Sequence, residues 1–222
     1  MQTRYASGGF FWGPENRLSD TSKSSGVVSQ GGRPLLRPLL KRPNKQDLLA
    51  AAGRSVPDLL ATGLDVLFCG INPGLYSAAT GHHFARPGNR FWRALYESGF
   101  TPRLLSPDEE RELLQWGYGM TAIVRRGTAT AAELSDKEYK GGGRALVRKV
   151  RKYRPRMLAV LGVGAYRSAF NRPLARLGLQ PERIGDTEIW LLPNPSGLNA
   201  NYQLDDLTKL FRELRTYLAH SR

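Results

Sequence analysis

Short apolar runs alternate along the chain with segments whose apolar positions recur every three or four residues. Asp65-Val66-Leu67-Phe68-Cys69-Gly70-Ile71, Arg156-Met157-Leu158-Ala159-Val160-Leu161-Gly162 and Thr187-Glu188-Ile189-Trp190-Leu191-Leu192 read as strands, the first two suited to the buried centre of a sheet. Residues 119–124 read as a further short strand. Helical spacing falls between them. A short helix starts over 46–52, ahead of a turn at Val56-Pro57-Asp58. Asn89 is placed to cap a helix through Phe100, with Phe91, Trp92, Leu95 and Tyr96 on one face. Ser106-Pro107-Asp108-Glu109 is a capping box with proline at the first helical position, opening a helix to about Trp116. Gly143 to Tyr153 reads as a basic helix with Leu146, Val147 and Val150 inward, and Gly164 to Phe170 as another. The last, 204–219, is amphipathic through Leu207, Leu210, Phe211, Leu214 and Leu218. There is no internal repeat. Strands alternating with helices predict a three-layer α/β/α single domain with a mainly parallel central sheet.

Ligands of such sheets bind beyond the carboxyl ends of the strands. Two polar loops follow predicted strands there, Gly70–Gly74 and Pro193–Asn199, so chemistry is expected at both. The charge balance adds a partner class. With 33 Lys+Arg against 19 Asp+Glu the formal net charge is +14, which favours a polyanion, most often nucleic acid. Eight of these cations lie in residues 1–46, a Gly/Ser/Pro-rich stretch with only Glu15 and Asp20 in opposition. Its composition predicts a disordered tail ahead of a folded domain over 47–222. The single cysteine, Cys69, excludes a disulfide framework or a four-cysteine metal site. No apolar run approaches the length of a membrane span, and no signal core is evident, so a cytoplasmic or nucleoid-associated protein is expected.

Gly70-Ile71-Asn72-Pro73-Gly74, then Phe84, then Asn89-Arg90-Phe91-Trp92, then Pro193-Asn194-Pro195-Ser196-Gly197-Leu198 occur in one order with wide separation. With these residues the chain resembles the mismatch-specific uracil-DNA glycosylases, the family of thymine-DNA glycosylase within the uracil-DNA glycosylase superfamily. The resemblance runs from about Gly63 to Leu218. It implies the uracil-DNA glycosylase-like fold and a monofunctional base-excision-repair enzyme. Such an enzyme flips uracil out of G:U mispairs in double-stranded DNA and hydrolyses its N-glycosidic bond, leaving an abasic site. Whether thymine (a G:T partner) or ethenocytosine is also handled stays open. No metal, no other cofactor, no membrane and no second copy of the chain is implied.

Carried over by motif position, Asn72 orients the attacking water, Phe84 is the stacking platform, and Ile71, Gly74, Ser77 and Asn194 line the base pocket. Leu198 is the wedge that enters the base stack, while main-chain groups of Gly197 and Asn199 read the opposite guanine. Ser196, Arg86 and Arg90 are expected on phosphates, with Arg125 and Arg126 further candidates, and Asp108 is a candidate auxiliary acid/base. His82 and His83 are expected along the DNA channel or at the pocket mouth rather than on a metal. Because an amide is a weak base, the chemistry is expected to be slow. Three departures bear on specificity: Asn199 replaces the usual Ser, Ala200-Asn201-Tyr202 lacks an arginine, and Ala122 replaces a polar residue. The alternative reading is a binding module for mismatched or damaged DNA that does not turn over.

Overall fold

The computed structural model describes residues 42–221. The tail expected over 1–46 therefore lies outside the described residues except for its last five. Of these, Asn44 caps a first helix, α1 (Lys45–Ala50), its Oδ1 accepting from the amides of Gln46 and Asp47.

Five strands form the sheet: β1 (Val66–Gly70), β2 (Tyr118–Ala122), β3 (Met157–Leu161), β4 (Gly178–Ile184) and β5 (Thr187–Leu192), in the order β2-β1-β3-β5-β4. All pairs are parallel except the β4–β5 hairpin. The observed architecture is thus the expected three-layer one. Period-two alternation divides the core. Val66 and Phe68 of β1 face Phe91, Trp92, Phe211 and Leu214, whereas Leu67 and Cys69 face Leu146, Val150 and Tyr166. The first layer is α3 (Phe91–Glu97) and α6 (Leu204–His220); the second is α4 (Asp136–Tyr153) and α5 (Val163–Phe170). The small α2 (Leu75–Thr80) follows β1 directly. Register places Gly70 opposite Ala122 and Leu161 opposite Leu192, so the strands that enter the two polar loops end along one edge.

Several elements differ from their sequence reading. α4 begins at Asp136, seven residues before Gly143, behind a capping box of Ser135 and Glu138. The interrupting glycines are contacts rather than breaks. A Cβ on Gly142 would sit 2.3 Å from the Ile123 carbonyl, and one on Gly143 2.4 Å from that of Ala169. Residues 107–116 form a 3₁₀ helix, not an α-helix, although the Ser106–Glu109 box closes as expected. Its inward residues, Glu110 and Leu113, repeat every three positions, which is the 3₁₀ period. The α3 helix ends at Glu97, and Tyr96 is exposed instead of sharing the buried face. Val147 and Leu210 are only half-buried. Lys149, one of the cations of this basic helix, turns inward: its Nζ pairs with Asp58 Oδ2 at 2.7 Å. β4 had no apolar signature because it is an edge strand, with Pro181 inside it. Cys69 is buried in β1, and that burial pushes its thiol up to about 12 against the opposing pull of Lys149, so it stays protonated at neutral pH. Among the described residues no helix is long and apolar enough to cross a membrane.

Candidate active site

At the carboxyl edge of β1 and β2 opens a cavity of about 330 Å³. It is lined by Ile71, Asn72, Gly74 and Ser77 after β1, by His83, Phe84 and Arg86 in the next loop, by Ala122 at the end of β2 and Thr128 beyond it, and by Asn194, Ser196, Leu198 and Asn199 after β5. The fold therefore brings together motif residues more than a hundred positions apart.

Asn72 is the most constrained of them. Its Nδ2 donates to Thr128 Oγ1 at 2.7 Å, to the Arg126 carbonyl at 2.9 Å and to the Pro73 carbonyl at 3.2 Å. Thr128 in turn donates its own hydroxyl proton to the Thr130 carbonyl at 2.8 Å, so toward Asn72 it acts only as an acceptor. This fixes which way the amide points and leaves Oδ1 as its free acceptor. Thr128 is held by its amide to the Pro73 carbonyl, at 3.1 Å. Nothing local in Gly127-Thr128 signals this role; only the pairing of β1 with β2 makes the two loops neighbours.

Phe84 sits at φ +51°, left-handed backbone that a bulky residue adopts only when its surroundings impose it. Its ring stacks on Phe91 with centroids 4.2 Å apart, and a Cβ on Gly70 would stand 3.2 Å from it, so the glycine at the end of β1 makes room for the ring. Two groups secure this loop. Ser77 Oγ accepts from the Ala85 amide at 3.1 Å, so Ser77 holds the loop as well as lining the cavity. Glu110 accepts from the His83 amide and the His83 ring, both at 2.9 Å, and from the His82 ring at 3.2 Å. A carboxylate accepts only, so both rings carry their proton on Nδ1. Asp108, by contrast, is exposed on the first helical turn and does not line the cavity; the carboxylate that reaches this loop is Glu110, two residues on.

Burial alone would raise the Glu110 carboxyl, but the hydrogen bonds from the His83 ring and amide and from His82 outweigh it and hold the group below the usual carboxylate range. A folded-state pKa depressed this way stabilises the protein above the unfolded value of about 4.3, and the contribution is lost as pH falls through the folded value. Glu110→Gln is expected to cost about 2 kcal/mol at pH 7, the scale of a charge-assisted hydrogen bond. The gap to wild type should close on acidification. Thermal melts of both proteins from pH 7 to pH 3 check this; a gap that persists unchanged at pH 3 would mean the ionised carboxylate contributes nothing.

The loop after β5 is organised by its own asparagines. Asn194 Oδ1 accepts from the Ser196 amide at 3.0 Å, which turns Asn194 Nδ2 outward as a donor, and Asn199 Nδ2 donates to the Asn194 carbonyl at 2.9 Å. Asn199 thus does structural work with the side chain by which it departs from serine. Its amide donates to the Ser196 carbonyl at 2.9 Å and its carbonyl accepts from Arg90 at 3.0 Å, so its main chain is already engaged within the protein. Arg90 is likewise no open phosphate ligand: its guanidinium also donates to the carbonyls of Ser196 and Tyr202 and to Gln203 Oε1, clamping this loop to the start of α3. Arg126 is paired with Glu138 at 2.7 Å. Arg86 stands exposed on the cavity rim, and Arg125 is exposed next to Arg126. Leu198 projects at the cavity mouth with 66% of its surface accessible, a large apolar side chain in water.

Chemically, the cavity offers an aromatic face, amide groups of fixed orientation and a hydroxyl, and among the described residues no Asp or Glu lines it. The family model for the uracil DNA glycosylase superfamily matches residues 57–219, which include every lining residue named above. A solution NMR structure of a protein from Methanosarcina acetivorans, provisionally assigned as a uracil DNA glycosylase, has a similar fold. The TM-score is 0.50 at 18% identity, over 73% of this chain and 98% of that one.

Proposed function

The chain belongs to the uracil DNA glycosylase superfamily, and from that premise we propose that it excises uracil from G:U mispairs in double-stranded DNA by water attack, as a monofunctional enzyme. The observation that carries the reading is the locked amide of Asn72, whose oriented Oδ1 lies in one cavity with the ring of Phe84. In this mechanism a mispaired uridine rotates out of the stack, and its ring lies against Phe84. Asn194 Nδ2, the donor its loop leaves over, meets a uracil carbonyl. Asn72 Oδ1 accepts one proton of a water and aims its lone pair at the anomeric carbon. As the glycosidic bond lengthens, the sugar gains oxocarbenium character and uracil gains negative charge, and the water adds to the sugar. Among the described residues no carboxylate lines the cavity to take the water's proton, so that proton passes to solvent and the departing uracil anion takes one up there. Rate must come from positioning and from the preorganised dipoles around the leaving base, and turnover is slow.

Leu198 serves as the wedge. Exposed before binding, it enters the gap in the stack and offsets part of the unstacking cost. Because the main chain of Asn199 is already bonded, reading of the opposite guanine falls to Gly197. Arg86 on the rim supports a flanking phosphate. Opening a G:U mispair costs less than opening A:U, so single-turnover release with excess protein is expected to be fastest on G:U duplex. A:U duplex and single-stranded uracil DNA are the comparisons. Equal rates on all three would remove the mismatch preference. Binding of the G:U duplex with no base released would replace the enzyme by a recognition module.

A further inference from the structure

Five cations share one strip of α4. With about 100° per residue, Lys137, Lys140, Arg144, Arg148 and Arg151 fall within an arc of about 80°. The buried Gly143, Leu146 and Val150 lie outside this arc, with Leu146 and Val150 on the far side of the helix. All five cations are exposed, and none is in an ion pair among the described residues. The acidic residues of the helix fall outside the strip: Asp136 and Glu138 sit in the first turn, and Glu138 is taken by Arg126. Like charges four residues apart on a helix repel, so the strip opposes the folded helix and gains no ion pair among the described residues.

Its place in the fold matters as much as its charge. The first turn of α4 is tied at Glu138 to Arg126, whose carbonyl holds Asn72, so the strip begins beside the cavity. α4 then leads through Arg154 and Pro155 into the amino end of β3, so the strip runs away from the carboxyl edge for about 21 Å. A duplex seated over the cavity lies across that edge and cannot follow it. The length matches about six base-pair steps of a strand rising 3.4 Å each, and the four-residue spacing of about 6 Å is close to every second phosphate along the axis.

We propose that this face of α4 binds the phosphate backbone of a second double-stranded DNA segment, separately from the segment engaged at the cavity. The protein thereby holds two duplexes, or two distant parts of one molecule, and can pass from one to the other without release into solution. The surface reads no sequence, because it presents only long flexible cations at phosphate spacing.

The test uses the full chain with Lys140, Arg144, Arg148 and Arg151 all changed to Gln. Binding of an undamaged 30-base-pair duplex and of a short G:U duplex is measured from low to moderate salt, and single-turnover release on the short G:U duplex at saturating protein. The log–log salt slope for the undamaged duplex is expected to fall by about 3 to 4, at roughly 0.9 per phosphate contact. Release from the short duplex stays unchanged, and the variant melts no lower than wild type because like-charge repulsion has been removed. In wild type the undamaged duplex adds to a complex already loaded with short G:U duplex; in the variant it does not. An unchanged salt slope overturns the proposal. So does an equal loss of short-duplex binding, which would place the strip within the primary footprint. The binding arm needs no catalysis, so absence of glycosylase activity would leave this inference standing or falling on its own.

Discussion

Asn72→Ala is expected to lower single-turnover release of uracil from a G:U duplex by a factor on the order of 100 to 1000, while binding of that duplex is nearly kept. The factor is that of removing one preorganised polar group from a transition state, roughly 3 to 4 kcal/mol. The loss is expected on the chemical step because, in the proposed mechanism, Asn72 meets the water and not the base: its Nδ2 is fully used by Thr128, Arg126 and Pro73. Only Oδ1 remains, and its orientation is fixed before substrate arrives. Since no Asp or Glu lines the cavity among the described residues, no neighbouring carboxylate replaces it. The measurement is a pair of titrations: release rate at saturating protein, and duplex affinity with a non-cleavable uridine analogue. Parallel losses in both would show that Asn72 holds the base, and an unchanged rate would dismiss it from the reaction.

Much of this was legible in the sequence, for identifiable reasons. β1 and β3 announced themselves because a strand buried on both faces must be apolar throughout, and β5 carries the same signal after Thr187-Glu188. The glycine triplet of α4 misled, since glycine weakens a helix and also permits close approach, and only the neighbouring carbonyls of Ile123 and Ala169 reveal which applies. The placement of Asn72, Phe84 and Leu198 on one cavity was reachable by their motifs. Thr128 and Glu110 were not, because each acts on a partner 27 or more residues away, and their own surroundings in sequence are ordinary. Asp108 does not line the cavity, and the carboxylate of its helix that reaches the cavity loop is Glu110, which holds His83. A capping box makes the first-turn carboxylates conspicuous, whereas the one that turns inward is chosen by the three-residue period of the 3₁₀ helix. Arg90 shows the converse error. Arginine beside a DNA-binding loop suggests phosphate, but a guanidinium also satisfies several loop carbonyls at once, and here it does so.

That clamp sets up the second large effect. Gly197→Ala is expected to reduce uracil release from duplex DNA by a factor on the order of 10 to 100 while leaving release from single-stranded DNA within a few-fold of wild type. A methyl at 197 would stand 2.6 Å from the Gly88 carbonyl oxygen and 3.2 Å from its carbon, both main-chain atoms. Gly88 cannot yield easily. It lies in a left-handed turn at φ +82°, and two residues on, the Arg90 amide is bonded to the Pro195 carbonyl at 3.0 Å. The loop carrying Leu198 must move instead, by most of an ångström, against the Arg90 clamp that holds the carbonyls of Ser196 and Asn199. Misplacement on that scale is enough for a loss of about 100-fold where geometry supplies the rate. In the proposed mechanism it acts on the wedge and on the guanine-reading main chain, both of which matter only when a base must be drawn from a stack. Single-stranded uracil needs neither, and the Asn72–Phe84 side of the cavity is held independently by Thr128, Ser77 and Glu110. Comparing the two substrates therefore separates flipping from chemistry. An equal loss on both would mean that the displaced loop has disturbed the water site, and that Leu198 is not what distinguishes duplex from single strand.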